Sequence, residues 1–333
     1  MKKIITFLFL VGLTFLSLGQ DFLNMPLDRQ IEMTGYFGEY RKGNENVDPH
    51  FHVGIDFSTG GLTGIEILAP ANGYVEYFYI NDPLYGNGLV LYVPTFSNQI
   101  TGEQGIKIHF AHLESVGSSK SINGRIIQNI YNILLRTSGI EYRKINLMNN
   151  KIEFKTGETL ALSGESGNVP PHLHLEILDK NENMFINPAF YFDFEYSNTE
   201  MSIPGIEIDG KDFSDESTFI LSDDSNFYIN PEVKLRYNIN PKIISVRLNN
   251  TSVFQIDFSY ILSEDLYKPE EIYINSTNAK YWYSIINDCN LSLVVANLWD
   301  SIDFNSSYEG EIMIEDNWGN QYERSFKMIP GGD

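Results

Sequence analysis

The segment Pro170-Pro171-His172-Leu173-His174-Leu175-Glu176-Ile177 has one regular conformation that separates its polar from its apolar side chains. In a strand, successive side chains alternate faces, so Leu173, Leu175 and Ile177 enter a core while His172, His174 and Glu176 share the opposite side. On a helix, residues two apart would diverge. The two prolines favour an extended entry. Two imidazoles beside a carboxylate are hard to satisfy in an apolar core, so that side of the strand is expected to face a site. The other four of the six histidines also fall in close pairs, His50/His52 and His109/His112, and none follows His174.

Neutral imidazole and carboxylate are the usual protein ligands of zinc when cysteine is absent. His52 and Asp56 are four residues apart, about 13 Å on a straight strand, too far to share an ion. The segment must therefore bend, and Gly54 between them permits it. With His174 as a third ligand the set becomes two imidazoles and one carboxylate, leaving the fourth position that a catalytic zinc keeps open. His50 shares strand parity with His52 and is expected beside the site or exposed. In Ile108-His109-Phe110-Ala111-His112-Leu113 the two histidines have opposite parity, so only one can face the site from a strand. The company of Ile108 and Phe110 points His112 toward the buried face. Glu176 is expected either to orient a ligand histidine or to be solvated.

Strand-like alternation with turn punctuation dominates elsewhere, and the aromatic content of 14% suits a β-rich protein. Residues 65–75 read as strand, turn and strand, with Asn72-Gly73 as a hairpin signal. Ile122, Ile126, Ile127, Ile130, Ile133 and Leu134 recur at helical spacing and predict an amphipathic helix over 122–136, packed on the sheet or covering the site. Beyond the polar stretch 197–200 only short alternating strands follow, which suggests a β-sandwich over 197–333. Asp316-Asn317-Trp318-Gly319-Asn320 reads as the hairpin before its last strand.

At 333 residues two domains are the prior. Met1-Lys2-Lys3, the apolar run Ile4–Leu18 and Ser17-Leu18-Gly19 read as a signal peptide over 1–19 cleaved after Gly19, which predicts a periplasmic or secreted protein with no transmembrane segment after cleavage. Cys289 is the only cysteine, so no internal disulfide forms, and a small buried hydrophobe is the expected role. A net charge of −21, from 44 acidic and 23 basic residues, argues against nucleic acid and against anionic membrane surfaces as partners.

His52-Val53-Gly54-Ile55-Asp56, then Ala111-His112-Leu113, then His172-Leu173-His174-Leu175-Glu176 resemble the three motifs of the M23 (LytM/lysostaphin-type) zinc metallopeptidases. Gly38-Glu39-Tyr40-Arg41, Ala69-Pro70-Ala71-Asn72-Gly73, Tyr85-Gly86-Asn87-Gly88 and Ser163-Gly164-Glu165-Ser166-Gly167 are further landmarks of that resemblance, which covers roughly residues 30–195. It implies a mainly-β chain: an antiparallel-sheet metallopeptidase domain over 20–196, with a helical insertion at about 113–155, followed by an Ig-like β-sandwich domain. One Zn2+ per chain would be bound by His52, Asp56 and His174, and His112 and His172 would be the catalytic histidines. The implied substrates are peptidoglycan stem peptides, hydrolysed at their cross-links, and the C-terminal domain would contact wall or a protein partner. The alternative is a non-hydrolytic LytM-type regulator that activates a cell-wall amidase, its cleft blocked by the insertion. Two features depart from the family's pattern: the insertion itself, and Asn168-Val169-Pro170-Pro171 where many members carry a small hydroxyl residue and glycine.

Overall fold

The computed structural model describes residues 22–28, 32–45, 47–139, 141–194, 199–277, 280–285 and 289–330. The expected signal peptide and the boundary at 196/197 lie outside the described residues. The chain is mainly β, as its alternation predicts. In chain order the first half forms β1 (Met33–Gly35), β2 (Tyr40–Arg41), β3 (His50–Phe51), β4 (Ile55–Ser58), β5 (Glu66–Leu68), β6 (Gly73–Asp82), β7 (Gly86–Ser97), β8 (Gln104–Ala111) and β9 (Leu113–Val116). After α1 (Ile122–Ser138) come β10 (Arg143–Asn146), β11 (Ile152–Phe154), β12 (Thr159–Ser163), β13 (His172–Asp179) and β14 (Met184–Ile186).

An antiparallel sheet in the order β1-β4-β13-β8-β7-β6-β10 forms the body of this half. Its centre, β4-β13-β8, is where the histidine motifs meet. Leu173, Leu175 and Ile177 on β13, with Ile106, Ile108 and Phe110 on β8, are fully buried. That is the alternation expected of strands with one core face. Burying such aliphatic side chains contributes about 1.5–3 kcal/mol each, so a one-residue slip of β13 would lose several at once and turn both histidines into the core.

Residues 65–75 depart from the expected hairpin. β5 pairs with β12 in a separate three-stranded sheet, β5-β12-β9, whereas β6 pairs with β7, β10 and β11. The turn at Pro70–Asn72 therefore carries the chain from one sheet to another. The Asn-Gly pair sits at a bend rather than in a hairpin turn, and pairing partners were decided by burial on both sheets.

The expected helix is present. The Ser121 hydroxyl caps it by accepting from Gly124 N at 2.9 Å, and Arg136 sits in the last turn, where its charge suits the helix dipole. Ile127 and Tyr131 are buried against the sheets. The Tyr131 hydroxyl donates to Glu114 O at 3.0 Å and accepts from Asn87 Nδ2 at 3.0 Å, which pins α1 behind the loop carrying His112.

The second half builds a five-stranded and a six-stranded sheet among its described residues. Phe219 stacks on Phe326 with ring centroids 4.4 Å apart, and Phe227 joins them at 6.0 Å. The expected final hairpin is present: Tyr308–Glu315 pairs with Gln321–Pro330 around a turn in which Asp316 Oδ1 accepts from Trp318 N and Asn320 N. Cys289 is partly buried at the edge of the core, and burial pushes its thiol up to about 11, away from thiolate reactivity. Among the described residues no helix is long and apolar enough to cross a membrane.

The two halves are joined by more than a linker. Strand Tyr260–Leu262 pairs with β14 and so extends the first half's sheet. Phe51 N donates to Leu266 O at 3.0 Å, and the buried Tyr273 hydroxyl donates to Gly38 O at 2.6 Å while lying 2.8 Å from Asn240 Oδ1. The segment 36–52, which carries Glu39, Arg41 and His52, is thus backed by the second half. Tyr273→Phe leaves the Gly38 carbonyl buried without this donor and is expected to cost about 1–3 kcal/mol in urea unfolding. An unchanged midpoint would mean that the contact does not couple the halves.

Candidate metal centre

Asp56 on β4 lies directly opposite His174 on β13, and His174 also faces Ala111 on β8. His52 precedes them in an irregular stretch between β3 and β4, the bend that its spacing from Asp56 requires. Gly54 serves that bend by giving room. A Cβ there would lie 2.5 Å from Leu175 O and 2.9 Å from the His174 ring, so any side chain would displace that ring.

The result is a triangle of donor atoms. His52 Nε2 lies 3.0 Å from Asp56 Oδ1 and 3.1 Å from His174 Nδ1, and His174 Nδ1 lies 2.8 Å from Asp56 Oδ1. Ligand atoms around a tetrahedral zinc with bonds of about 2.0–2.2 Å are roughly 3.3–3.5 Å apart, so the triangle fits after opening by a few tenths of an ångström. The outer ring nitrogens set the tautomers. His52 Nδ1 is 2.7 Å from Tyr36 O, an acceptor only, so this nitrogen carries the proton and Nε2 presents a lone pair. His174 Nε2 is 3.0 Å from Glu176 Oε1, which likewise leaves Nδ1 to face the triangle. Two imidazole lone pairs and a carboxylate oxygen converge on a point that only a positive charge can satisfy.

Without a metal that charge is a proton. Burial pulls His174 down, but Asp56 and Glu176 outweigh it and hold the ring up to about 9. Burial and the Arg41 charge push His52 down to about 4, so the triangle takes one proton rather than two. Burial opposes the Asp56 anion, yet His52, His174 and Arg41 keep its carboxyl well below the usual range. A metal must displace the His174 proton, so its apparent affinity should fall as pH drops below about 9. The expected slope is about tenfold per pH unit, or roughly 100-fold between pH 8 and 6, read by zinc titration calorimetry. A flat profile would mean that the metal displaces no proton from His174 in this range.

His112 enters by a route that parity did not anticipate. It has φ of 58° between β8 and β9, in the left-handed region, so its side chain leaves the alternation of β8. His112 thus reaches the cleft from between two strands, where strand parity does not apply, rather than lying on the buried face of β8, while His109 stays on β8 and contacts Glu176. His112 Nδ1 donates to Ser166 O at 2.9 Å and His172 Nδ1 to Pro170 O at 2.7 Å, leaving both Nε2 atoms available. The two rings are 4.8 Å apart, and His172 Nε2 is 3.5 Å from Asp56 Oδ1. Burial, with His174 and His172 adding to it, pushes His112 down to about 3. The glycine-rich landmarks hold this corner. Gly86 has φ of 65° and lies so close to the Ser166 backbone that a Cβ would come within 2.4 Å, while Ser166 Oγ accepts from Asn87 N.

Glu176 is buried and serves two histidines, with Oε1 on His174 Nε2 and Oε2 2.5 Å from His109 Nδ1. The Tyr79 hydroxyl closes the chain against His109 Nε2. The solvated alternative for Glu176 is set aside, and His109 holds Glu176 rather than a ligand position. Glu176→Gln weakens the charge behind His174 and is expected to lower zinc affinity by roughly 10–100-fold without unfolding the sheet. Unchanged affinity would show that Glu176 does not tune the ligand.

Arg41 closes the landmark Gly38-Glu39-Tyr40-Arg41, to which the sequence assigned no role. Its guanidinium contacts Asp56 Oδ2 at 3.0 Å and Glu39 Oε2 at 3.1 Å, fixing the carboxylate from behind. Burial pushes the Glu39 carboxyl up to about 8 against the pull of Arg41. His50 lies on the cleft wall with Nδ1 2.9 Å from Asp48 O and is not among the converging donors. A cleft of about 400 Å3 opens onto Asp56, His112, His172 and His174, with Arg41 and Tyr85 on its walls. None of the described residues of 113–155 lines it, and α1 packs on β9, β11 and β12.

No model of a known protein family matches this chain, and no curated protein matches its sequence.

Proposed function

We propose that this protein is a zinc endopeptidase that hydrolyses the peptide cross-links of bacterial peptidoglycan, acting in the periplasm or after secretion. The observation that carries the reading is the convergence of three separate motifs on one open cleft: His52, Asp56 and His174 as a lone-pair triangle, flanked by the paired His112 and His172. Three protein donors with a cleft beside them fit a catalytic rather than a structural metal, which would need a fourth protein ligand. The location rests on the N-terminal run Ile4–Leu18.

A zinc ion held by His52, Asp56 and His174 supplies Lewis acidity, polarising a carbonyl and acidifying water. The protein's own groups do the remainder. Glu176 and the Tyr36 carbonyl keep both ligand rings in the metal-binding tautomer. His112, held neutral by burial, can accept a proton through Nε2, and His172 presents the same atom. One of the pair takes the proton from the attacking water and returns it to the leaving amine. The imidazolium so formed and its neighbour face the developing oxyanion.

The regulator reading has the insertion blocking the cleft, and none of the described residues of 113–155 lines it. The test is digestion of purified peptidoglycan by the mature chain, with products read by mass spectrometry. Conversion of cross-linked muropeptides to monomers, abolished by a chelator and restored by zinc, is the expected result. No cleavage by zinc-loaded protein would overturn it in favour of the regulator.

A further inference from the structure

Helix α1 is amphipathic in an unusual sense, because its outward side is also apolar. Ile122, Ile126 and Ile133 are 81%, 47% and 61% exposed. At 100° per residue they fall within an arc of about 40°, and Arg125 and Arg136 lie together beside them. Among the described residues neither arginine has a carboxylate partner. The segment 113–155 carries seven of the chain's 23 basic residues and only three of its 44 acidic ones, a net of +4 in a chain of −21.

We propose that this insertion docks on a lipid bilayer with anionic headgroups. A ridge of isoleucines flanked by arginines matches an interfacial helix, in which the apolar edge enters the headgroup–acyl boundary and the cations meet lipid phosphates. A soluble polyanion would satisfy the arginines and leave the isoleucines in water. The whole-chain charge argues against such a surface. Salt, however, screens charges beyond about 8 Å, so the lipid meets the local excess of basic residues rather than the total. None of the described residues of the insertion lines the metal cleft, so the proposed docking face and the cleft are separate surfaces.

The test is co-sedimentation of the mature chain with phosphatidylcholine vesicles, with and without phosphatidylglycerol. Binding should require phosphatidylglycerol and weaken as salt is raised. Arg125→Gln with Arg136→Gln should reduce affinity roughly 25-fold, at about fivefold per basic residue. Ile122→Ser, Ile126→Ser and Ile133→Ser together should reduce it at least tenfold. All five positions are exposed, so thermal unfolding by circular dichroism should be unchanged and separates lost docking from lost folding. Absence of binding, or equal binding by wild type and variants, would overturn the proposal. So would a lipid-free dimer that the triple isoleucine variant dissociates, which would assign the face to a second copy. No cleavage is read, so the outcome is independent of the hydrolytic reading.

Discussion

Asp56→Ala is expected to abolish metal-dependent hydrolysis and to weaken zinc binding on the order of a thousandfold or more. Asp56 is the only anion in the donor triangle, and its two oxygens have separate duties. Oδ1 faces His52 and His174 within 3.0 Å, while Oδ2 takes the Arg41 guanidinium. Removing it leaves two imidazoles to hold a dication with no anion in the donor set, beside an arginine that keeps only Glu39 as its partner, a combination that a low-dielectric site penalises heavily. Calorimetric zinc titration and the muropeptide assay read both effects, and circular dichroism checks that the sheet persists. A variant that binds zinc as tightly as wild type would remove Asp56 from the centre and with it the proposed ligand set.

His112→Asn should separate the metal from the chemistry. The outer nitrogen of this ring is engaged by Ser166 O, and the ring neighbours His172 without belonging to the triangle. Zinc affinity should therefore change less than about threefold, while kcat falls by about 10²–10⁴, the usual contribution of a positioned acid–base group. Asparagine is the suitable replacement because the residue sits at φ of 58°, where alanine would add roughly 1–2 kcal/mol of backbone strain. Full activity in this variant would contradict the acid–base role. Simultaneous loss of zinc and activity would instead make His112 part of the metal's support.

The readable parts of the sequence were those governed by periodicity. The period-2 pattern of 172–177 placed His172, His174 and Glu176 on one side of β13, and the period-3.6 pattern of 122–136 gave α1. The bend between His52 and Asp56 followed from strand length alone. The resemblance named His112, but parity could not say where it points, because a single left-handed residue takes its side chain out of the alternation and parity arguments assume unbroken strand geometry. Asn72-Gly73 signalled a hairpin that does not form, because which strands pair depends on distant burial. The roles of Arg41, His109 and Tyr79 were hidden for a similar reason, since each acts through a residue brought near by the sheet. The backing of 36–52 by Tyr273 joins positions 235 residues apart, and local pattern cannot reach that far.

The most direct test is an anomalous difference map at the zinc edge from crystals of the mature chain grown with zinc. The expected result is a single strong peak about 2.0–2.2 Å from His52 Nε2, Asp56 Oδ1 and His174 Nδ1, with its remaining position turned toward His112 and His172. No peak at this triangle, or a peak closed off by a fourth protein ligand such as His50, would contradict a catalytic metal centre here.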